Sequence, residues 1–291
     1  MKEIKGLRDV ADRYDAFILD VWGVLHDGAK PFDGVLPALE ALKRIGKPVL
    51  LLSNAARRSL SVTPHLAGIG VPRELYQDML TSGDESWRGL KTRGRADADP
   101  FYRDLGRRGF VLGAGRDPGF FDALDMERVE DPAASDFILA NSLVRPGLTP
   151  ADFEDAMQAA YGNGAAFICA NPDLVVLYGG RLEYCPGSLA QRYEALGGKV
   201  MYHGKPHAPV YARALSMLGD PDPRRVLCVG DSLRTDIAGA SAAGLDSLLL
   251  ACGIHKDDFL RMNGTADIAA MMAAAEGQGV HPTWLARQLD W

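Results

Sequence analysis

Cysteine is scarce in this chain. Four of its 291 residues are cysteine, namely Cys169, Cys185, Cys228 and Cys252, and no two form a CxxC pair. That spacing argues against a zinc site. Cys228 and Cys252 lie in apolar runs and read as small core residues. With no disulfide framework, a reducing, cytoplasmic setting is expected. The six histidines, His26, His65, His203, His207, His255 and His281, show neither HxxxH nor HExxH spacing, so a histidine-built metal site is not expected either. Positive charge is not in excess. The net charge of -6 argues against a general nucleic-acid binder, which gains affinity by neutralising phosphates with Lys and Arg. Long apolar runs are missing too, and none approaches the ~20 residues that span a bilayer. Met1 to Arg13 is charged and lacks the apolar centre of a signal peptide.

What remains is a chain long and apolar enough for a large core, near the size at which chains divide into two domains. Its first eighty residues alternate strand and helix. A strand near 15–21 precedes a helix near 34–45, with Val35, Leu36, Leu39 and Leu42 on one face and Gly46 as its stop. A second apolar strand, 48–53, a helix to about Gly70 and a short strand at 79–82 follow. The far end repeats the pattern: strand 200–203, helix 208–218, strand 226–229, helix 234–243, strand 247–250, and an Ala- and Met-rich helix over roughly 266–290. Alternation of this kind predicts a parallel sheet with helices on both faces. The middle has its own strands at 110–112, 137–139 and 167–169, and its own helix at 150–161, opened by Thr149-Pro150. The expected organisation is a discontinuous doubly wound α/β core, 1–82 and 186–291, with an inserted α/β domain at 83–185. Trp284, Leu285, Leu289 and Trp291 make the C-terminal segment either a homodimer interface or a cover on the core.

The chemistry-bearing residues stand at strand ends. Asp20 ends the apolar run Tyr14 to Leu19, and Asp231 ends Val226 to Gly230, with Asp236 one helical turn further. Two carboxylates at the carboxyl ends of parallel strands suit a ligand site and a hard cation such as Mg2+, which takes few protein oxygens and leaves room for a phosphate. Ser53-Asn54 closes an all-aliphatic strand, where a hydroxyl, an amide and backbone N–H groups can hold a phosphoryl oxygen. Lys205, in His203-Gly204-Lys205-Pro206, can neutralise a carboxylate and a phosphate together. Taken singly, each is also an ordinary turn, cap or loop residue.

Asp20, Ser53, Lys205 and Asp231 in that order resemble the four motifs of the haloacid dehalogenase superfamily of phosphohydrolases. Gly204-Lys205-Pro206, the run Gly230 to Ile237, and Asn171-Pro172-Asp173 resemble the subfamily with a large α/β cap inserted between the second and third motifs, relatives of nucleotide and sugar phosphate phosphatases. The resemblance spans about 14–255. It implies a Rossmann-like core with an α/β cap and a Mg2+-dependent hydrolase of a small phosphorylated metabolite. Asp20 would be the nucleophile that forms an aspartyl-phosphate. Mg2+ would rest on Asp20, Asp231 and the backbone carbonyl of Trp22, with Asp236 a metal-site or supporting carboxylate. Ser53 and Asn54 would bind the phosphoryl group, Lys205 would steady both charges, and Asp173 would be a cap contact.

One position departs from the pattern. The second Asp that such phosphatases carry two residues after the nucleophile, as acid for the leaving alcohol, is here Trp22, whose indole N–H does not shuttle a proton near neutral pH. Three readings stay open: a leaving group that needs little protonation, replacement by His26 or Asp27, or a protein that binds phosphate compounds without turning them over. A dehalogenase is a lesser alternative, since it needs no Mg2+. The glycine-bearing loop 111–119 does not keep GxGxxG spacing and is expected to be a loop of the inserted domain. Arg57-Arg58 reads either as an attractor of anionic substrate or as a solvated helix start.

Overall fold

A computed structural model describes residues 1–113, 117, 119–142, 147–178 and 181–291. In chain order its strands are β1 (Lys2–Glu3), β2 (Ala16–Leu19), β3 (Val49–Ser53), β4 (Asp78–Thr81), β5 (Arg108–Leu112), β6 (Glu127–Val129), β7 (Phe137–Ala140), β8 (Ala166–Cys169), β9 (Val175–Tyr178), β10 (Arg181–Tyr184), β11 (Val200–Tyr202), β12 (Val226–Gly230), β13 (Asp246–Leu250) and β14 (Trp284–Ala286). Internal contacts gather into two compact units. The first comprises Met1–Ser53, Thr63–Leu80 and Lys205–Trp291, and the second Asn54–Val62 and Thr81–Gly204.

The first unit is built on a seven-stranded sheet in the order β1-β14-β13-β12-β2-β3-β4. The pairings of β2 with β3 and β12, and of β13 with β12 and β14, are parallel. β2, β3 and β12 are buried along their whole length, which is why they read as continuous apolar runs rather than alternating ones. From β2 the chain builds outward through β3 and β4 on one side, and β12, β13 and β14 fill the other. The strand order therefore reverses beside β2, where open α/β sheets place their ligands. One face packs Ile18, Leu50, Leu52 and Cys228 against Val210, Tyr211 and Ala214 of the helix Ala208–Met217. Leu233, Ile237, Leu249, Leu285 and Met271 form a second cluster.

The second unit holds a five-stranded sheet, β11-β8-β7-β5-β6, and a hairpin of β9 and β10. Its sheet is covered on both faces. Ile138 and Ala140 of β7 pack with Met157, Leu189 and Tyr193, while Phe137 and Leu139 pack with Leu90, Phe101, Tyr102 and Phe120.

Three features differ from expectation. The strand at 200–203 was expected among those of the core; it forms, but β11 pairs with β8, Val200 opposite Phe167, in the smaller sheet. The helix Pro186–Ala195 likewise contributes Leu189, Ala190 and Tyr193 to the second unit's core. The tail is not one helix. Ile268–Gly277 is helical, Gly279 turns the chain at φ +67°, and Trp284–Ala286 emerges as a strand beside β13 and β1. Gly277, Gly279 and Pro282 are the breakers that end the helix. Trp284, Leu285 and Leu289 are buried in the first unit, so these side chains cover the core. Of the loop 111–119, residues 114–116 and 118 lie outside the described residues.

Candidate active site

β2 delivers Asp20 and β12 delivers Asp231. The register sets Leu19 opposite Val229, and the ladder continues one step as the Asp20 N–H donates to the Val229 carbonyl (2.9 Å). Asp20 is thus abreast of Gly230, with Asp231 next. On the other side Leu19 faces Leu51, so Ser53, the last residue of β3, reaches the same end of the sheet.

After Asp231 the chain enters a π-helical turn, Leu233–Ile237, capped by the Ser232 hydroxyl, which accepts from the Thr235 N–H. This wide turn carries Asp236 back toward the strand. The Asp236 Oδ2 accepts the Ser232 N–H (3.1 Å). A Cβ at Gly230 would lie 2.1 Å from the Asp236 Cβ, so only glycine allows the approach. Asp231 is enclosed in the same way. Hypothetical Cβ atoms at Gly23 and Gly253 would meet its Oδ2 at 2.2 and 1.8 Å, and the Ile254 N–H donates to that oxygen (2.6 Å). Gly23 takes φ +84°, a conformation cheap only for glycine.

Carboxylate oxygens of Asp20, Asp231 and Asp236 all lie within 4.8 Å of one another. Lys205 binds two of them, with Nζ donating to Asp20 Oδ1 (2.5 Å) and Asp236 Oδ1 (2.7 Å). None of the four residues is more than 9% exposed. Burial drives the Asp20 pKa up to about 7, Lys205 opposes the rise and Asp236 adds to it. Burial likewise raises Asp231 well above the carboxylate range, reinforced by Asp20 and Asp236. For Lys205, burial disfavours the charge, but Asp20 and Asp236 outweigh it and raise its pKa.

With one ammonium against three buried carboxylates, full ionisation leaves an excess of negative charge, which is part of what raises the Asp20 and Asp231 pKa values. The donors are all oxygen, and the glycines keep the space around the Asp231 carboxylate clear. This chemistry fits a small hard divalent cation. Asp20, Asp231 and Asp236 are the side chains that could hold it.

The loop after Asp20 folds back on itself. The Gly23 N–H donates to the His26 carbonyl (3.0 Å) and the Leu25 N–H to Val21 (2.9 Å). The half-buried Trp22 ring meets the edge of His26 at 5.1 Å. Its far end lies 2.8 Å from where a Gly28 Cβ would be. His26 is buried, and its Nδ1 accepts the Gly28 N–H (2.9 Å). Burial lowers its pKa to about 4, with His65 adding to the effect, so the imidazole is neutral at pH 7. Asp27 is exposed and accepts from the Ala29 and Lys30 N–H groups; those bonds depress its pKa.

The structure thus brings together Asp20, Lys205, Asp231 and Asp236, with Ser53 at the same sheet end. Asn54 and Asp173 belong to the second unit, where the Asn54 amide donates to Asp173 Oδ1 (2.9 Å) and accepts from the Ser82 hydroxyl (3.3 Å). Asn171-Pro172-Asp173 is a turn after β8, closed by the Asp173 N–H on Asn171 Oδ1. Arg58 is neither a solvated helix start nor an open anion receptor. It forms an ion pair with the buried Asp117 (3.1 Å), which also takes the Ser61 hydroxyl (2.6 Å). Sequence reasoning missed the packing role of Gly230 against Asp236, and missed Gly253 and the Ile254 N–H altogether. The signal available was only small residues at the end of β12 and after β13, and their role depends on long-range contact.

Two family models match the chain: a haloacid dehalogenase-like hydrolase model over residues 17–126 and a HAD-hydrolase-like model over 202–275. Among curated proteins, the chain is 27% identical to the 4-nitrophenylphosphatase of Schizosaccharomyces pombe over 275 residues, covering 87% of this chain and 89% of that protein. It is also 27% identical to the ribonucleotide monophosphatase NagD of Escherichia coli K12, over 83% and 89% of the two chains. A solved hydrolase of the haloacid dehalogenase-like family from Brucella suis superposes with a TM-score of 0.81. It is 33% identical over 98% of this chain and 99% of that one. With the Asp20–Lys205–Asp231–Asp236 cluster at the sheet's switch point, these matches establish that the chain belongs to the haloacid dehalogenase-like hydrolases.

Proposed function

We propose that this chain hydrolyses a small phosphorylated metabolite through a phosphorylated Asp20. The observation that carries the reading is the bond of Lys205 to both Asp20 and Asp236 inside the buried carboxylate cluster, with Asp20 at the switch point of the sheet. The names of the phosphatase relatives support the substrate class.

In this reading an Asp20 carboxylate oxygen attacks phosphorus, the ester P–O bond breaks, and an aspartyl-phosphate forms. Water then attacks that phosphorus, releasing phosphate and restoring Asp20. Lys205 holds Asp20 in position and offsets the charge of the phosphoryl group. Ser53 donates to the transferring group. Asn54 and Asp173 are proposed as substrate contacts on the second unit, to which we assign the capping and substrate-selecting role. Mg2+, held by Asp20, Asp231 and the Trp22 backbone carbonyl with Asp236 as support, supplies charge neutralisation and orientation when bound. Asp236, engaged by Lys205 and by the Ser232 N–H, orders the loop that carries Asp231.

Phosphate release from a panel of phosphorylated metabolites, with and without Mg2+, tests the reading. Turnover that needs both Mg2+ and Asp20, and that is lost in Asp20→Asn, is expected. Trp22 favours a second reading, a phosphometabolite-binding protein of little activity. Mg2+ binding without turnover on any substrate would establish that reading and refute the first.

A further inference from the structure

Protonation of the leaving group is the step for which the first unit offers no group. When Asp20 displaces an alkyl phosphate, the electron pair of the broken P–O bond goes to an alkoxide that must take up a proton. A positioned acid is worth about 10²- to 10⁴-fold there. Among the described residues of the first unit, the ionisable side chains of the cluster are already assigned in the phosphatase reading, Asp20 to the attack and Asp231 and Asp236 to the cation, where a carboxyl holds no proton to give. Lys205 spans Asp20 and Asp236. Asp236 receives the Ser232 N–H and Asp231 the Ile254 N–H. The next candidates along the chain are engaged within their own loop. The Trp22 ring lies on its own loop, against Gly28 and His26. His26 is 2% exposed and its Nδ1 is taken by the Gly28 N–H. The Asp27 carboxylate caps the turn to Lys30 at the surface.

Resting on the phosphatase reading, we infer that the site is specialised for phosphoryl compounds whose leaving group departs as a stable anion, namely acyl phosphates and phosphoanhydrides. With an acyl phosphate, the Asp20 oxygen bonds to phosphorus and the P–O bond to the acyl group breaks. The electron pair leaves on a carboxylate, which needs no proton at neutral pH. In the second step the water oxygen bonds to phosphorus and the bond to Asp20 breaks, its electron pair returning to the carboxylate. One proton of the water passes to an oxygen of the departing phosphate, so no protein base is needed. The net reaction is acyl phosphate plus water giving carboxylate plus dihydrogen phosphate, which carries both hydrogens of the water.

The experiment compares kcat/KM for acetyl phosphate and inorganic pyrophosphate with that for glycerol 3-phosphate, in the wild type, Trp22→Asp and Trp22→Phe. The readout is the ratio between substrates, which does not depend on the fraction of protein folded. In the wild type, acetyl phosphate and pyrophosphate should exceed glycerol 3-phosphate by about 10²-fold or more. Trp22→Asp should lower that ratio at least about tenfold by supplying an acid, and Trp22→Phe should not. A wild-type ratio within about tenfold of unity, or one that no Trp22 substitution moves, overturns the inference while leaving the phosphatase reading intact. No turnover of any of the three by the wild type overturns the phosphatase reading, and this inference with it.

Discussion

Gly253→Ala is the sharpest test of how the carboxylate cluster is held. The added methyl would sit 1.8 Å from Asp231 Oδ2 and 2.2 Å from its Cβ, whereas ordinary contact begins at 3.4 Å. Either the backbone at 253 or the Asp231 carboxylate must move by about 1.6 Å, and a misplacement near 1 Å can cost 10²-fold in rate. The obstacle is a buried carboxylate on a short loop, not the end of a flexible side chain, so relaxation is limited. Moving Asp231 also breaks its 2.6 Å bond from the Ile254 N–H, a charge-assisted bond worth about 1.5–3 kcal/mol. The expected outcome is a Mg2+ half-saturation raised about 10- to 100-fold and turnover down about 10²-fold. Stability should fall by about 1–3 kcal/mol, or roughly 2–4 °C in Tm for each kcal/mol. Phosphate release against Mg2+ concentration and a thermal melt read all three. Gly277→Ala is the control, because a Cβ there meets nothing within 4 Å; its stability should stay within about 1 kcal/mol. Wild-type Mg2+ dependence in Gly253→Ala would refute the argument that Gly253 keeps the Asp231 carboxylate in place.

Two further outcomes follow from the same region. Lys205→Met leaves three buried carboxylates without their ammonium and, measured by urea unfolding without added divalent cation, should cost about 3–5 kcal/mol; a loss under 1 kcal/mol (about a fivefold change in equilibrium) would contradict the pairing. His26 has a folded pKa of about 4 against 6.5 in the unfolded chain, so the unfolded state takes up the proton first. Its contribution is complete above pH 6.5 and is lost as pH falls from 6.5 toward 4, reaching about 3 kcal/mol. Asp20, raised to about 7, contributes a slope of opposite sign over the same window. The readout is therefore the difference between wild type and His26→Gln, which should grow as pH rises from 4 to 6.5; an NMR titration of His26 centred near 6.5 would overturn it.

Which parts of this molecule could be read from its sequence depended on whether the cause was local. Asp20, Ser53 and Asp231 were visible because a strand buried on both faces is a continuous apolar run, and a polar residue at its end stands out without reference to anything distant. The parallel order of the sheet followed from alternation of strands and helices. Sheet membership is different. Val200-Met201-Tyr202 is as good a strand beside β12 as beside β8, and only the pairing with Phe167–Cys169 puts it in the second unit. The tail failed for a related reason. Trp284-Leu285-Ala286 is too short to show a period, and the neighbouring Ala-rich helix favoured extension until β13 and β1 supplied partners.

The glycines mark the boundary most clearly. Gly23 has a local cause, a φ of +84° in the turn after β2. Nothing local says that Gly253, 22 positions after Asp231, has to lack a side chain so that a carboxylate can sit against it, or that Gly230 must admit Asp236. Those requirements arise only when β2, β12 and the loop after β13 converge. Trp22 belongs to both kinds. Its identity, an indole where an acid was expected, is plain in the sequence. That its ring is accommodated by Gly28 and edged by His26 depends on how the loop closes. The local signal raised the question of how the leaving group is protonated, and the loop geometry is what turns it into a claim about substrate.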